Sequence, residues 1–297
     1  MRKDRPGKDM IKNLPRKLIL HAGILIDNLV TPHEKRVRRF TGRPYVFGLL
    51  TLPFFFATNY LFNHQRLWFS FLPEGRPMYF FTVILPFGIL LPSLTLGWLI
   101  READGEAHIF GATLKYRDLK MMGFALAAGI IITIIPVGWH ILGDISLIGT
   151  SVHLFIWLFM VSLAEVLMFV GVIFNTALWL SFKWFPGRAY VFDRTAIAVV
   201  LAAFVYSLFH FSYPEPWNSW GMVALLVPVG IIISLAYVVT RSLAATVVFT
   251  NVLSVAGYLL TDSLLTGSDV LGIVLNAIVV FAVIIILMLV GIYDEDF

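Results

Sequence analysis

The chain contains no cysteine. This absence excludes disulfide bonds, thiolate metal sites and a cysteine nucleophile. Charged residues are also scarce, because Asp, Glu, Lys and Arg make up 13% of the 297 residues, against about 25% in an average soluble domain. A chain of this length with so little charge lacks the polar surface of a soluble protein, and no polar stretch beyond the N-terminal region is long enough to fold alone.

Apolar material is abundant instead: 59% of the residues are hydrophobic and the mean hydropathy is +0.86. The apolar residues fall into long segments, and a transmembrane helix needs about 20 of them in a row. Eight segments meet this length: 45–63, 78–100, 119–142, 151–182, 195–213, 219–240, 243–261 and 269–292. The sequence therefore predicts an all-α, polytopic transmembrane helical bundle of about eight spans.

The N-terminal region differs from the rest by its positive charge. Twelve of the 22 Lys and Arg residues lie within residues 1–43. Apolar residues recur at roughly helical spacing over residues 10–31, with basic residues on the other faces. This pattern predicts a basic amphipathic helix that lies in the membrane interface, facing lipid headgroups. We expect the lipid bilayer to be its partner, and not nucleic acid.

Basic residues are distributed unequally between the loops. If the N-terminus is cytoplasmic, eight Lys and Arg fall in the inner loops or at their edges, and only Arg66 and Arg76 fall outside. This asymmetry follows the positive-inside rule and predicts an even number of spans with both termini in the cytoplasm. No signal-peptide pattern follows the basic stretch, and we expect an integral protein of a prokaryotic cytoplasmic membrane.

Glu165 is the only one of the 18 carboxylates that falls in the middle of a predicted span. A charged residue there costs about 2.5–3.5 kcal/mol on insertion scales, so it should face the bundle or a water pocket and have a partner. Two interpretations remain open. The side chain is either a neutral acid that bonds a neighbouring helix, or a general base or substrate contact.

His210 is the second candidate, near the outer end of the fifth span. Tyr206 lies four residues before it, on the same helix face. A site of three histidines with His140 and His153 would suit zinc. Glu165 does not fit such a site, because the twelve residues after His153 correspond to about 18 Å of helix. We predict neither a metal nor another cofactor.

Polar side chains also occur in the seventh span, at Thr250, Asn251 and Ser254. Hydroxyl and amide groups in membranes commonly join helices by hydrogen bonds. The same groups could instead support a substrate or an oxyanion, and both interpretations stay open at this stage.

Two segments resemble signatures of the CPBP intramembrane protease family, which includes CAAX prenyl endopeptidases and bacteriocin-immunity-type proteins. The stretch 164–173 reads A-E-V-L-M-F-V-G-V-I and is similar to the family pattern A-E-E-x-x-F-R-G. Val166 replaces the second glutamate and Val170 the arginine. The second signature, Phe-x-x-x-His, reads Y-S-L-F-H and ends at His210.

The resemblance covers about residues 150–260 and is weakest at its end. Where the family has a histidine followed four residues later by Asn or Asp, this chain has Thr250 and Ser254, with Asn251 adjacent. In the family pattern the lost glutamate and arginine are four residues apart and could pair. Removing only one would leave an unpaired buried charge, which is costly, and here both are replaced together.

The resemblance implies a peptidase in which Glu165 and His210 activate a water molecule. Tyr206, Thr250, Asn251 and Ser254 would support the substrate or the oxyanion. The substrate would be a membrane-associated or prenylated peptide. Two alternatives stay open: a non-catalytic relative that binds a membrane partner, and a small transporter in which Glu165 titrates.

The resemblance also suggests how the chain is divided. We predict a basic cytoplasmic or interfacial segment over 1–44, three transmembrane helices over 45–143, a CPBP-like membrane core over 150–261, and a last helix with an acidic end over 262–297.

Overall fold

The structure, a computed structural model, describes residues 42–64, 76–102, 123, 126–127, 145–185, 191–215, 217–240 and 242–262. Within these ranges the elements are helical, in the order α1 (Gly42–His64), α2 (Arg76–Tyr79), π1 (Phe80–Leu90), α3 (Leu91–Glu102), α4 (Ile145–Glu165), π2 (Val166–Phe174), α5 (Asn175–Trp184), α6 (Val191–Phe209), a 3₁₀ turn (His210–Ser212), α7 (Trp220–Thr240) and α8 (Leu243–Asp262).

Among the described residues, five helical segments are long and apolar enough to cross a membrane: Gly42–His64, Pro77–Trp98, Leu154–Phe182, Asp193–Ser212 and Trp220–Thr240. They coincide with five of the eight predicted spans, and the predicted all-α membrane fold is confirmed.

The other predicted segments have different outcomes. The seventh span corresponds to α8 (Leu243–Asp262), which contains the apolar helical stretch Leu243–Val255. The predicted spans 119–142 and 269–292 and the interfacial helix 10–31 lie outside the described residues, apart from residues 123, 126 and 127. The count of eight and the cytoplasmic termini therefore stay predictions.

The continuous helix α4–π2–α5 lies at the centre of the bundle. In its most apolar stretch 67% of the residues are buried, against 33% for α1. All nine residues of π2 are buried. A helix that is apolar on every side packs against neighbours all round, so the V-L-M-F-V-G-V-I-F sequence of π2 explains its central position.

Small residues let two neighbouring helices approach the site closely. A Cβ atom added to Gly230 of α7 would come within 2.8 Å of the Ala203 Cα on α6. A Cβ atom added to Gly88 of π1 would lie 2.5 Å from the Ala164 Cβ, next to Glu165. Glycine and alanine at crossings allow such backbone approach in membranes, so these contacts fix π1 and α7 close to the centre of α4–π2.

The outside of the bundle carries large apolar side chains. Phe54 of α1, Phe81 of π1 and Ile156 of α4 each expose more than half of their surface. In water such an exposed apolar belt would be unfavourable, whereas lipid tails solvate it without penalty. The exposed and buried faces together agree with a bilayer environment.

Candidate active site

Glu165 occupies the last position of α4, directly before the π-helical segment. Its side chain is 5% exposed, so it faces the bundle and not lipid, as the sequence predicted. π-Helical segments are rare and often occur at functional sites. The change of helix type directly after this carboxyl group is a structural feature that the sequence pattern did not predict.

Tyr213 is the direct partner of Glu165. Its hydroxyl lies 2.9 Å from Glu165 Oε1 and donates to the carboxylate. Tyr213 follows the 3₁₀ turn that ends α6, and its ring is 7% exposed. The turn therefore brings a residue 48 positions along the chain onto the carboxyl group. Sequence analysis did not select Tyr213.

The His210 ring packs against Tyr213. The centres of the two rings are 5.2 Å apart, and the imidazole also contacts Tyr206, with ring centres at 4.7 Å. The Nδ1 atom lies 2.9 Å from the Tyr206 carbonyl oxygen. Because a carbonyl only accepts, Nδ1 carries the proton in this bond, and Nε2 of a neutral ring is left as an acceptor.

A small cavity opens beside Glu165. Its polar lining comes from four helices and consists of Glu165, Tyr206, Ser234 and Thr250. The space open to the centre of a water molecule is about 10 Å³, close to the minimum that holds one water. Thr250 is 1% exposed and its hydroxyl has no hydrogen-bond partner within the described part of the chain. The cavity is thus sized for one small polar group and has a buried hydroxyl without a partner in its wall.

The two valines that replace the charged family positions line this same cavity. Val166 and Val170 are each 1% exposed. In the family pattern, a glutamate and an arginine at these two positions could pair on one helix face. The location of Val166 and Val170 in one cavity wall is consistent with that expectation. A glutamate or arginine alone at either position would be a buried, uncompensated charge, whereas two valines leave an apolar wall.

A second group of buried polar residues lies next to Tyr213 in the chain, at Ser212, and includes Asn59 of α1 and Tyr79 of α2. The Tyr79 hydroxyl donates to Asn59 Oδ1 of α1 at 2.7 Å, and Asn59 Nδ2 donates to Ser212 Oγ at 2.7 Å. Sequence analysis missed these residues too. The available signal was the pair Asn59 and Asn63, four residues apart in an otherwise apolar span.

Asn251 and Ser254 lie elsewhere along α8. Asn251 Nδ2 donates to the Phe155 carbonyl of α4 at 2.9 Å, and its Oδ1 is 3.5 Å from Ser162 Oγ. Ser162 Oγ is also 3.4 Å from Ser254 Oγ. Neither Asn251 nor Ser254 lines the cavity. The structure therefore brings Glu165, Tyr206 and Thr250 together, with His210 adjacent, and places the other two in an α4–α8 contact.

The three-histidine alternative has no support in the described residues, where no group of three or more His, Cys, Asp or Glu side chains could hold a metal. His140 lies outside them, and of His153 only the backbone, in α4, is described.

Fold and site together define a class: a helical membrane protein in which a buried carboxyl group, a histidine and a water-sized cavity meet between spans. Residues 147–256 match the family model described as Rce1-like, type II CAAX prenyl endopeptidase Rce1-like. This segment, from α4 into α8, is similar to the CPBP and CAAX protease family, and the match supports the resemblance that the motifs indicated. Comparisons with curated proteins and with solved structures return no match.

Proposed function

We propose that the chain is an intramembrane endopeptidase that hydrolyses membrane-associated, prenylated peptides. One observation carries the proposal: the Glu165 carboxyl group, buried between spans, borders a cavity with room for about one water molecule. The description of the matched family as prenyl endopeptidases supports the substrate class.

Glu165 is the general base in this proposal. It takes a proton from the cavity water, whose oxygen attacks the scissile carbonyl carbon, and it returns that proton to the leaving amine. General acid–base catalysis of this kind contributes about 10²–10⁴-fold. The position of Thr250 suits a donor to the water or to the oxyanion, because its hydroxyl is buried in the cavity wall without another partner.

In this proposal His210 interacts with the developing oxyanion or with the leaving group. Its ring contacts both Tyr206, which lines the cavity, and Tyr213, which holds Glu165. The bond from Nδ1 to the Tyr206 carbonyl fixes the ring orientation. A preorganised group of this kind needs little movement during the reaction.

A non-catalytic role as a membrane scaffold or partner-binding protein is the second candidate. The observation that favours it is the apolar wall formed by Val166 and Val170 where the family pattern has charged residues. In that case the same region of the bundle would bind a peptide or a protein partner without hydrolysing it.

A cleavage assay distinguishes the peptidase function from the non-catalytic role. It uses the full-length protein in lipid vesicles, with a farnesylated peptide and its unprenylated counterpart. The peptidase proposal expects cleavage of the farnesylated peptide, reduced about 10²–10⁴-fold by Glu165→Gln and about 10²-fold by His210→Ala.

Glu215→Gln is the matched control, because Glu215 is an exposed carboxylate in the turn after Tyr213. It should cleave as the wild type does. Peptide binding without cleavage by the wild type would favour the non-catalytic role, and cleavage that survives Glu165→Gln at the wild-type rate would contradict the proposed mechanism.

A further inference from the structure

The short turn after α6 carries two residues of the candidate site. It comprises His210–Ser212 and is followed by Tyr213, whose hydroxyl donates to Glu165. A 3₁₀ turn of this length has poorer hydrogen-bond geometry than an α-helix. Tyr213 precedes Pro214, which restricts it to extended backbone, and its φ and ψ are −87° and 163°. The position of Tyr213 against the carboxyl group therefore depends on what holds the turn.

The carbonyl groups at the end of α6 need partners, because the last carbonyls of a helix have none within the helix. Ser212 Oγ donates to the Phe209 carbonyl at 2.6 Å. The Tyr213 N–H donates to the His210 carbonyl at 3.0 Å. The Ser212 carbonyl accepts from another helix, since Asn63 Nδ2 of α1 lies 3.2 Å from it. The turn is thus completed by a donor that α1 supplies.

A second hydrogen bond joins α1 to the same serine. Asn59 Nδ2 donates to Ser212 Oγ at 2.7 Å. Asn59 and Asn63 are four residues apart, which places them on one face of the helix. They are 0% and 3% exposed, and Asn63 Nδ2 lies 3.0 Å from Asn59 Oδ1. These two asparagines, the α1 amide pair, hold both the side chain and the backbone of the residue directly before Tyr213.

We propose that the α1 amide pair positions the His210–Ser212 turn, so that Tyr213 bonds Glu165 and His210 is correctly placed for the proposed reaction. Asn59 and Asn63 are positioning residues, and neither lines the cavity. Both lie outside residues 147–256, the segment that matches the family model. The geometry of the site therefore depends on a helix outside that segment. The role in catalysis rests on the proposed function, whereas the effect on the contact between Tyr213 and Glu165 requires no cleavage.

Asn251 provides a comparison within the same chain. Its amide also donates from one helix to a carbonyl of another, at 2.9 Å to Phe155. Phe155 precedes Glu165 by ten residues of α4, or about 15 Å of helix, whereas Ser212 is adjacent to Tyr213. The two asparagines Asn63 and Asn251 thus make the same type of bond at different distances from the site.

Infrared spectroscopy of the full-length protein in lipid vesicles tests the positioning without a substrate. The bands of the Glu165 carboxyl group are those that Glu165→Gln lacks, and Tyr213→Phe shows where they lie without the tyrosine bond. Asn63→Leu keeps a branched side chain and removes the donor to Ser212, so its bands should shift toward those of Tyr213→Phe. Asn251→Leu is the matched control and should keep the wild-type bands.

The kinetic test uses the cleavage assay with the farnesylated peptide, with rates expressed per folded protein. Asn63→Leu should lower kcat by about 10–10²-fold, because a displacement of about 1 Å in a catalytic arrangement has an effect of that size. KM should stay within about twofold, since the contacts with bound substrate are unchanged. Asn251→Leu should keep both constants. A purely structural role of Asn63 would lower the folded fraction and leave the bands and kcat of the folded protein unchanged.

The two measurements fail separately. A folded Asn63→Leu protein with wild-type bands would overturn the positioning whether or not the chain cleaves peptides. Shifted bands with a wild-type kcat would overturn its role in the reaction. A wild type that cleaves nothing, with bands that shift in Asn63→Leu, would refute the proposed function and support the positioning of Tyr213. If Asn63→Leu does not fold, Ser212→Ala, which removes the acceptor of the Asn59 bond, decides by the same bands.

Discussion

Two polar clusters join helices inside this bundle, and they differ in kind. The Glu165 cluster, made of the Tyr213–Glu165 pair and the neighbouring group Tyr79, Asn59 and Ser212, has donor–acceptor distances of 2.7–2.9 Å between different helices and turns. The Asn251 cluster, made of Ser162, Asn251, Ser254 and the Phe155 carbonyl, has contacts of 2.9–3.5 Å. Of the two, only the Glu165 cluster contains a carboxyl group, and neither Asn251 nor Ser254 lines the cavity beside that group.

The difference shows how burial, distance and charge together separate a candidate site from an ordinary helix contact. Amides and hydroxyls between spans contribute modestly, about 0.6 kcal/mol on average in membrane proteins. A carboxyl group in the same environment is costly and is usually retained for a function. The Asn251 cluster therefore has the properties of helix packing, and the Glu165 cluster has those of a site.

The largest expected difference in stability between the clusters concerns their asparagines. Asn59→Ala removes the oxygen that accepts from Tyr79 and the amide that donates to Ser212. Tyr79 and Ser212 are both buried and would lose a hydrogen bond, so the free energy of unfolding should fall by about 2–3 kcal/mol. Asn251→Ala should cost about 1 kcal/mol or less. Equilibrium unfolding in mild detergent with added dodecyl sulfate measures the free energy of unfolding of both variants. Equal losses would show that the two clusters do not differ in their contribution to stability.

Thr250 should respond in opposite directions in two measurements. Thr250→Val keeps the shape of the side chain and removes a buried hydroxyl that has no partner among the described residues, so the free energy of unfolding should rise by up to about 1 kcal/mol. Cleavage should fall about tenfold, because the hydroxyl no longer reaches the cavity water. A variant that loses stability and keeps its activity would show that Thr250 is a packing residue.

Ser254 should give the smallest effect. Its contact with Ser162 spans 3.4 Å, and it does not line the cavity beside Glu165. Ser254→Ala should change the free energy of unfolding by about 0.5 kcal/mol or less, and cleavage should stay at the wild-type rate. A loss of activity without a loss of stability would return Ser254 to the catalytic role that the family resemblance implied.

Much of the fold could be predicted from hydropathy alone. Five spans coincide with helices of sufficient length, because a run of apolar residues has few other structures open to it in a membrane. Glu165 could be selected for the same reason, as the only carboxylate in the middle of a predicted span. The π-helical segments could not be predicted. A local change from i→i+4 to i→i+5 hydrogen bonding alters the periodicity of a helix, and this change is invisible in a stretch where every residue is apolar.

The partner of Glu165 could not be predicted because it is distant in sequence. Tyr213 follows the turn that ends α6, and tyrosines near span ends usually indicate membrane interfaces. Asn251 illustrates the opposite error: it is adjacent to Thr250, yet the helix turns its amide toward Phe155 and Ser162. Two adjacent residues of a helix point about 100° apart. The apolar pattern of the sequence does not determine which of the two faces the site.

The most direct test of the account compares the two clusters in one cleavage assay with a farnesylated peptide in lipid vesicles. The measured quantity is the rate of Glu165→Gln and of Asn251→Ala relative to the wild type, with folding of each variant verified by circular dichroism. The account predicts a loss of about 10²–10⁴-fold for Glu165→Gln and less than about threefold for Asn251→Ala. Equal rates for all three proteins, or a loss confined to Asn251→Ala, would contradict it.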